Sequence, residues 1–293
     1  MEEAALKNLL SQVSQVLIKY EEIAAVTGEN FNVFKILKLT TNEVRTHSAF
    51  LAELLNPKGS HGMRNSFLKS FIRQLNEMKL QDFTGKDALA NFNVESAIVK
   101  VEEFVGYLDK EQVTGGRIDL VLKDNGENVI VIENKINAQD QNQQVERYRN
   151  AYPKAAILYL TLWGNEPTPD SKGEYQNERD YLNISYSEFI FNWLTICLKE
   201  AVSFPLLRET LVQYQNLIKH LTGKTMNKLA ETAIVDIVTK GPIENYIAAM
   251  QIVSCHRNIL LGMLSKLQND VAVSLGSEDR KSTRLNSSHR IRS

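Results

Sequence analysis

The stretch RIDLVLKDNGENVIVIENK, residues 117–135, decides the fold. Two aliphatic runs, Arg117 to Lys123 and Asn128 to Lys135, flank Asp124-Asn125-Gly126-Glu127, a strong turn signal between strands. Asp119 lies seven residues before Gly126 and Glu133 seven after it, so an antiparallel hairpin centred there sets the two carboxylates opposite each other. A strict two-residue turn at Asn125-Gly126 would pair Asp119 with Ile132 instead, so the reading requires an odd-length or bulged turn. Lys135 follows Glu133 by two residues and shares its sheet face, about 6.6 Å further along. The neighbours Ile118, Leu120, Val121, Ile130, Val131 and Ile132 are all apolar. Two unpaired anions in such a setting are costly, and a divalent cation removes that cost. The competing reading, a solvated Glu133–Lys135 pair on an exposed face, fits poorly with the unbroken apolar run Val129 to Ile132.

Outward from the hairpin, Val94, Ala97, Val99, Val101 and Phe104 suggest a preceding strand. A polar helix is expected from about Ala138 to Ala151, then a buried strand over Ala155 to Thr161. Another strand candidate covers Leu182 to Tyr186. Upstream, one amphipathic helix occupies about residues 4–26. A second starts near Thr41, capped by Thr40, Thr41 or Asn42, and stops at Asn56-Pro57, and a third carries Phe67, Leu68, Phe71, Ile72 and Leu75. Helices are expected downstream at about 187–201, 205–221, 226–239 and 242–275. No internal repeat and no low-complexity segment is present.

Two acids and an ammonium on one face suit phosphodiester hydrolysis, because hard oxygen ligands hold Mg²⁺ or Mn²⁺ and a lysine can orient the attacking water. Ile118-Asp119 followed by Glu133-Asn134-Lys135, within the order helix, three strands, helix, strand, resembles the PD-(D/E)XK nuclease superfamily, with Ile118 in place of the nominal proline. The segment from Glu43 to Pro57, EVRTHSAFLAELLNP, with His61-Gly62 after it, is similar to the amino-terminal part of one of its subfamilies. In related nucleases a glutamate on the first core helix completes the metal site, which makes Glu43 the candidate third carboxylate beside Asp119 and Glu133. The other reading of Glu43 is a helix N-terminal acid favoured by the macrodipole. His47 is either a phosphate ligand or a hydrogen-bonded core histidine, and His61 carries a weaker version of the same choice. Gln144 and Tyr148, four apart on the helix after Lys135, resemble the QxxxY motif of RecB-like nucleases, where the pair lines the active site; otherwise they are surface residues. Arg147, Arg149 and Lys154 are either phosphate contacts or solvated charges.

The resemblance implies an α/β fold: a restriction-endonuclease-like core of helix, three-strand antiparallel meander, helix and strand, with helical additions at both ends. Residues 1–39 read as an amino-terminal helical segment, 40–200 as the nuclease core and 201–278 as a carboxy-terminal helical region. The stretch from Asp279 to Ser293 looks like an in-frame translation of a sequencing adaptor. It holds five of the 34 Lys/Arg and one of the 35 Asp/Glu, so the formal charge of −1 becomes −5 without it. That balance argues against coating nucleic acid by bulk electrostatics, though not against a local groove. At 293 residues and 43% apolar the chain can bury a sizeable core. No apolar run reaches the roughly 18 residues of a membrane span, so a cytoplasmic protein is expected. Cys197 and Cys255 lie far apart in apolar patterns and read as buried free thiols. The expected activity is metal-dependent cleavage of nucleic acid, DNA first, in defence or repair, with a homodimer through the carboxy-terminal helices favouring double-strand cutting. The alternative is a nuclease-fold scaffold or binding protein without catalysis.

Overall fold

A computed structural model describes the backbone of residues 2–288 and the side chains of residues 3–273. Residues 289–293 of the adaptor-like tail, and all of that tail's side chains, therefore lie outside the described residues. The chain separates into two compact units, Ala24–Lys228 and the described parts of Met1–Ile23 with Leu229–Ser293. This differs from the division expected at residues 39 and 200. The amino-terminal helix groups with the last three helices, while residues 24–39 and helix Pro205–Leu221 belong with the sheet.

In chain order the helices before the sheet are α1 (Glu2–Thr27), α2 (Val33–Ile36), α3 (Ala49–Leu55), α4 (Ser66–Asn76) and α5 (Lys86–Ala90). The strands β1 (Ile98–Phe104), β2 (Arg117–Lys123) and β3 (Val129–Lys135) follow, then α6 (Gln144–Ala151), β4 (Ala156–Thr161), α7 (Pro169–Lys172) and β5 (Leu182–Ser185). The remainder is α8 (Phe191–Glu200), α9 (Pro205–Leu221), α10 (Met226–Thr239), α11 (Ile243–Ser254) and α12 (His256–Ser288). The long helix expected over 242–275 is thus two helices that meet at Cys255 and bend by 56°. Cys255 is exposed at that break, whereas Cys197 is buried in α8. Among the described residues no single helix is long and apolar enough to cross a membrane; the bent pair Ile243–Ser254 with His256–Val273 passes together on length and composition.

One five-stranded sheet runs β1-β2-β3-β4-β5. β1, β2 and β3 pair antiparallel, and β4 and β5 then add parallel to β3. Both sheet faces are covered, which is why Ile130, Val131 and Ile132 are all buried. Leu120, Leu122, Ile130, Ile132, Leu158 and Leu160 pack against α3, α4, α8 and α9 through Leu51, Leu54, Phe67, Phe71, Trp193 and Leu217. Val121, Val131, Ile157 and Tyr159 pack on the other face against Val145 and Tyr148 of α6. The result is a helix, sheet, helix sandwich with the carboxyl end of β3 near its centre.

The hairpin turn is of odd length. Lys123 pairs with Val129, and Asp124 N–H bonds the Asn128 carbonyl, closing a three-residue loop. The left-handed position is taken by Glu127, φ +63°, and not by Gly126. Asp124 organises the loop: its Oδ1 accepts from the Gly126 and Asn128 N–H groups, both at 2.9 Å.

Candidate active site

The β2–β3 register runs from Lys123↔Val129 to Leu120↔Ile132, and one further step brings Asp119 opposite Glu133. The Asn134 N–H donates to Asp119 Oδ2 at 2.8 Å, so the backbone between Glu133 and Lys135 itself fixes the first carboxylate. Glu133 is buried at 3% exposure. Its Oε1 accepts from Lys135 Nζ at 3.0 Å and from Gln144 Nε2 at 2.6 Å, and its Oε2 accepts from the Tyr148 hydroxyl at 2.7 Å.

Gln144 and Tyr148 face the site because they are one helical turn apart on the side of α6 that lies on the sheet. Gln144 Nε2 also donates to the Tyr148 oxygen at 2.7 Å, which uses both amide hydrogens. The single Tyr148 proton is then shared between Glu133 Oε2 and the Arg117 carbonyl at 3.0 Å, with the carboxylate the stronger acceptor. Neither residue is on the surface; Gln144 is 2% and Tyr148 1% exposed. The helix itself begins at Gln144, six residues later than the periodicity suggests. The preceding residues are diverted by Glu43, and Gln143 enters the helix at φ +51°.

Burial and the charge of Glu133 push the Asp119 carboxyl up to about 8. Burial likewise raises Glu133, against the opposing pull of Lys135, Tyr148 and Gln144. For Lys135, burial works against the charge, but the neighbouring Glu133 and Asp119 outweigh it and keep the ammonium protonated. Without a metal the Asp119 carboxyl therefore holds its proton at neutral pH, beside the Glu133–Lys135 pair. Asp119 Oδ2 takes only the Asn134 N–H among the described hydrogen bonds. Two adjacent carboxyl groups, with Asp119 Oδ2 held by that one N–H, offer hard oxygens suited to a small divalent cation that would displace the proton.

Glu43 sits in a π-helical turn, Glu43–Ser48, that runs directly into α3 and is capped by Asn42, whose side chain accepts from Arg45 N–H at 2.8 Å. Its Oε1 accepts from the N–H groups of Ile136, Asn137 and Ala138 at 2.6, 2.7 and 2.8 Å. Among the described residues no three His, Cys, Asp or Glu side chains converge as a ready metal cage. The structure therefore brings Asp119, Glu133, Lys135, Gln144 and Tyr148 together and places Glu43 beside them, holding the loop that leaves β3.

His47 is fully buried, its Nε2 facing the Thr40 carbonyl at 3.0 Å and its Nδ1 the Tyr214 hydroxyl at 2.9 Å. A carbonyl can only accept, so Nε2 carries the proton and Nδ1 accepts from Tyr214. Burial lowers its pKa against the opposing effects of Thr40 and Glu43. It is a core pin between this turn and α9. His61 bridges the Asn56 carbonyl and the Met63 N–H and stacks on Phe67, a turn-forming arrangement. Arg147 and Arg149 are also buried, not poised for phosphate. Arg149 donates to the carbonyls of Pro153, Ala155 and Asp180, and Arg147 to Asn142 and Gln141. Lys154 is exposed.

Asn134 escaped the sequence reading. It is 1% exposed, donates from Nδ2 to Ser48 Oγ at 3.0 Å and accepts at Oδ1 from the Tyr186 hydroxyl at 2.9 Å. An asparagine inside an apolar strand must find such partners, and that is the one signal that could have exposed it.

Comparison with curated proteins gave no match, nor did comparison with solved structures. The family model of the PD-(D/E)XK nuclease superfamily matches residues 31–216, a span that includes the whole sheet, α6 and every residue of the cluster. Over more than half its length the chain carries that family's pattern, and it belongs to the PD-(D/E)XK nuclease superfamily.

Proposed function

We propose that the protein is a divalent-metal-dependent nuclease that hydrolyses phosphodiester bonds of DNA, with Asp119, Glu133 and Lys135 as its reacting core. The observation that carries this reading is the convergence of two mutually repelling carboxyl groups and one ammonium at the end of β3. Asp119 and Glu133 are the residues that would hold Mg²⁺ or Mn²⁺. The ion, with its remaining coordination filled by water and phosphate oxygens, supplies Lewis acidity toward the phosphate and neutralises its developing charge. Lys135 stays protonated and presents N–H donors to the attacking water or to a phosphate oxygen. Gln144 and Tyr148 act as positioning residues, fixing both oxygens of Glu133 from behind. Glu43 holds the backbone after Lys135, and so the direction of the ammonium.

The test is incubation of the protein with linear, circular and single-stranded DNA and with RNA, with and without Mg²⁺, alongside Glu133→Ala and Lys135→Ala. DNA cleavage that requires the metal and is lost in both variants is the expected result. Wild type that behaves like Glu133→Ala on every substrate would overturn the reading and favour a nuclease fold used for binding alone.

A further inference from the structure

A cavity of about 520 Å³ opens beside the catalytic cluster, at the carboxyl ends of the parallel strands β3 and β4, where Lys135 pairs with Thr161. Lys135, Asp140, Tyr159, Trp163, Glu166 and Thr168 are among its lining residues. Trp163 is 58% exposed, although the loop that carries it is tightly held. Thr161 Oγ1 accepts from the Gly164 and Asn165 N–H groups at 2.9 and 2.8 Å, and Gly164 makes the turn at φ +81°. Asp140 clamps the loop's far end by accepting from Thr168 N–H at 2.6 Å, and it also accepts a hydrogen bond from the Tyr159 hydroxyl. A large indole thus faces solvent from a rigid platform, an arrangement that core packing does not require.

The charges of the lining select what can rest there. Among the residues of the lining Lys135 is the one cation, and it lies at the catalytic end; the wall bears the carboxylates Asp140 and Glu166, the second paired with Lys172. The wall away from Lys135 thus offers a phosphate no free cation, whereas a flat, uncharged ring that can donate N–H groups suits both the carboxylates and the indole. Bases within a duplex have both faces covered by their neighbours, so only an unpaired base offers a free face.

We propose that this cavity seats one unpaired nucleobase of the substrate, stacked on Trp163, while the adjoining phosphate meets Lys135. The proposal rests on the nuclease reading and adds a preference for single-stranded or frayed nucleic acid.

The test is binding in EDTA, where cleavage plays no part, of a fluorescein-labelled 12-nucleotide single-stranded DNA and of its blunt duplex. Trp193, the other tryptophan, is buried and donates to the Phe67 carbonyl, so quenching of indole emission reports Trp163. The single strand is expected to quench it, and Trp163→Ala to weaken single-strand binding by about 5- to 100-fold while Trp163→Phe stays within about threefold. Equal single-strand affinity in wild type and Trp163→Ala, in a protein that still cleaves DNA with Mg²⁺, overturns the base seat and leaves the nuclease reading standing. An equal loss in Trp163→Phe and Trp163→Ala also overturns it. Quenching by the single strand with no cleavage of any substrate supports the seat and removes the nuclease reading.

Discussion

The Tyr148 hydroxyl donates to Glu133 Oε2 at 2.7 Å, tying the middle of α6 to the carboxyl-terminal part of β3. Burial and the adjacent Glu133 push the phenol far above its usual range, so it acts as a fixed donor and takes no part as a base. Tyr148→Phe keeps the ring in its apolar seat and removes the hydroxyl, and with it the donor to Glu133 and the acceptor for Gln144. The expected outcome is a fall in kcat of about 10- to 100-fold with KM little changed, the usual cost of losing a group that orients a metal-binding carboxylate. Steady-state kinetics on a DNA substrate checks it, with Gln144→Leu as a parallel variant.

Asp119→Asn should separate stability from activity. The amide retains an acceptor for the Asn134 N–H and removes the repulsion with Glu133. At pH 9 in EDTA, where the wild-type carboxyl is forced to ionise, the variant is expected to melt about 2–8 °C higher; near pH 4, where folded and unfolded wild type both hold the proton, the difference should nearly vanish. Cleavage should fall at least about a thousandfold. Thermal melts at the two pH values decide the first part, and a variant less stable than wild type at pH 9 would contradict it.

Metal-free protein should lose stability as pH rises. The Asp119 carboxyl has an ordinary value of 3.8 and lies at about 8 when folded, so between those limits the folded state holds a proton that the unfolded state has released. Stability from this group is complete below about 4, declines through the interval and is lost above about 8, and Glu133 is displaced in the same direction. Mn²⁺ or Mg²⁺ takes the proton's place and should flatten the decline. Melting temperature against pH, in EDTA and in 5–10 mM Mn²⁺ (roughly saturating for a weak carboxylate site), provides the measurement.

Glu43→Ala strips one acceptor from three backbone donors at once. Because Asn137 and Ala138 are exposed, water replaces part of the loss, and a destabilisation of about 1–3 kcal/mol is expected. Glu43→Gln, which keeps an oxygen there, should recover most of it. Faster amide exchange at 136–138 in Glu43→Ala, with β2 unchanged, would locate the effect in the loop; unaltered exchange there would refute the anchoring role.

The carboxylate hairpin was legible because symmetry about Gly126 and a continuous apolar run are both properties of the chain alone. Its odd turn followed from pairing two carboxylates, though the left-handed residue proved to be Glu127, which no turn rule favours. Asn42 among the three cap candidates, and the stop before Pro57, could also be read locally. What was illegible depends on distant partners. Glu43 binds N–H groups more than ninety residues away, and this contact takes up one oxygen of the carboxylate expected to serve as a third metal ligand. Arg147 and Arg149 looked like surface charges because nothing nearby in sequence discloses the carbonyls that hold them. The pairing of α1's unit with α10 to α12 likewise has no local signature.

Position 134 is the letter that the family's short motif leaves open. Here its N–H holds Asp119 while its side chain, on the sheet face opposite Glu133, bonds Ser48 and Tyr186. A homologue with valine at that position would satisfy any motif scan yet lack the bolt that joins the two layers. For this chain, then, the information that specifies the site is larger than the pattern that identifies it, and searches for working relatives gain by weighing Ser48, Asn134 and Tyr186 together.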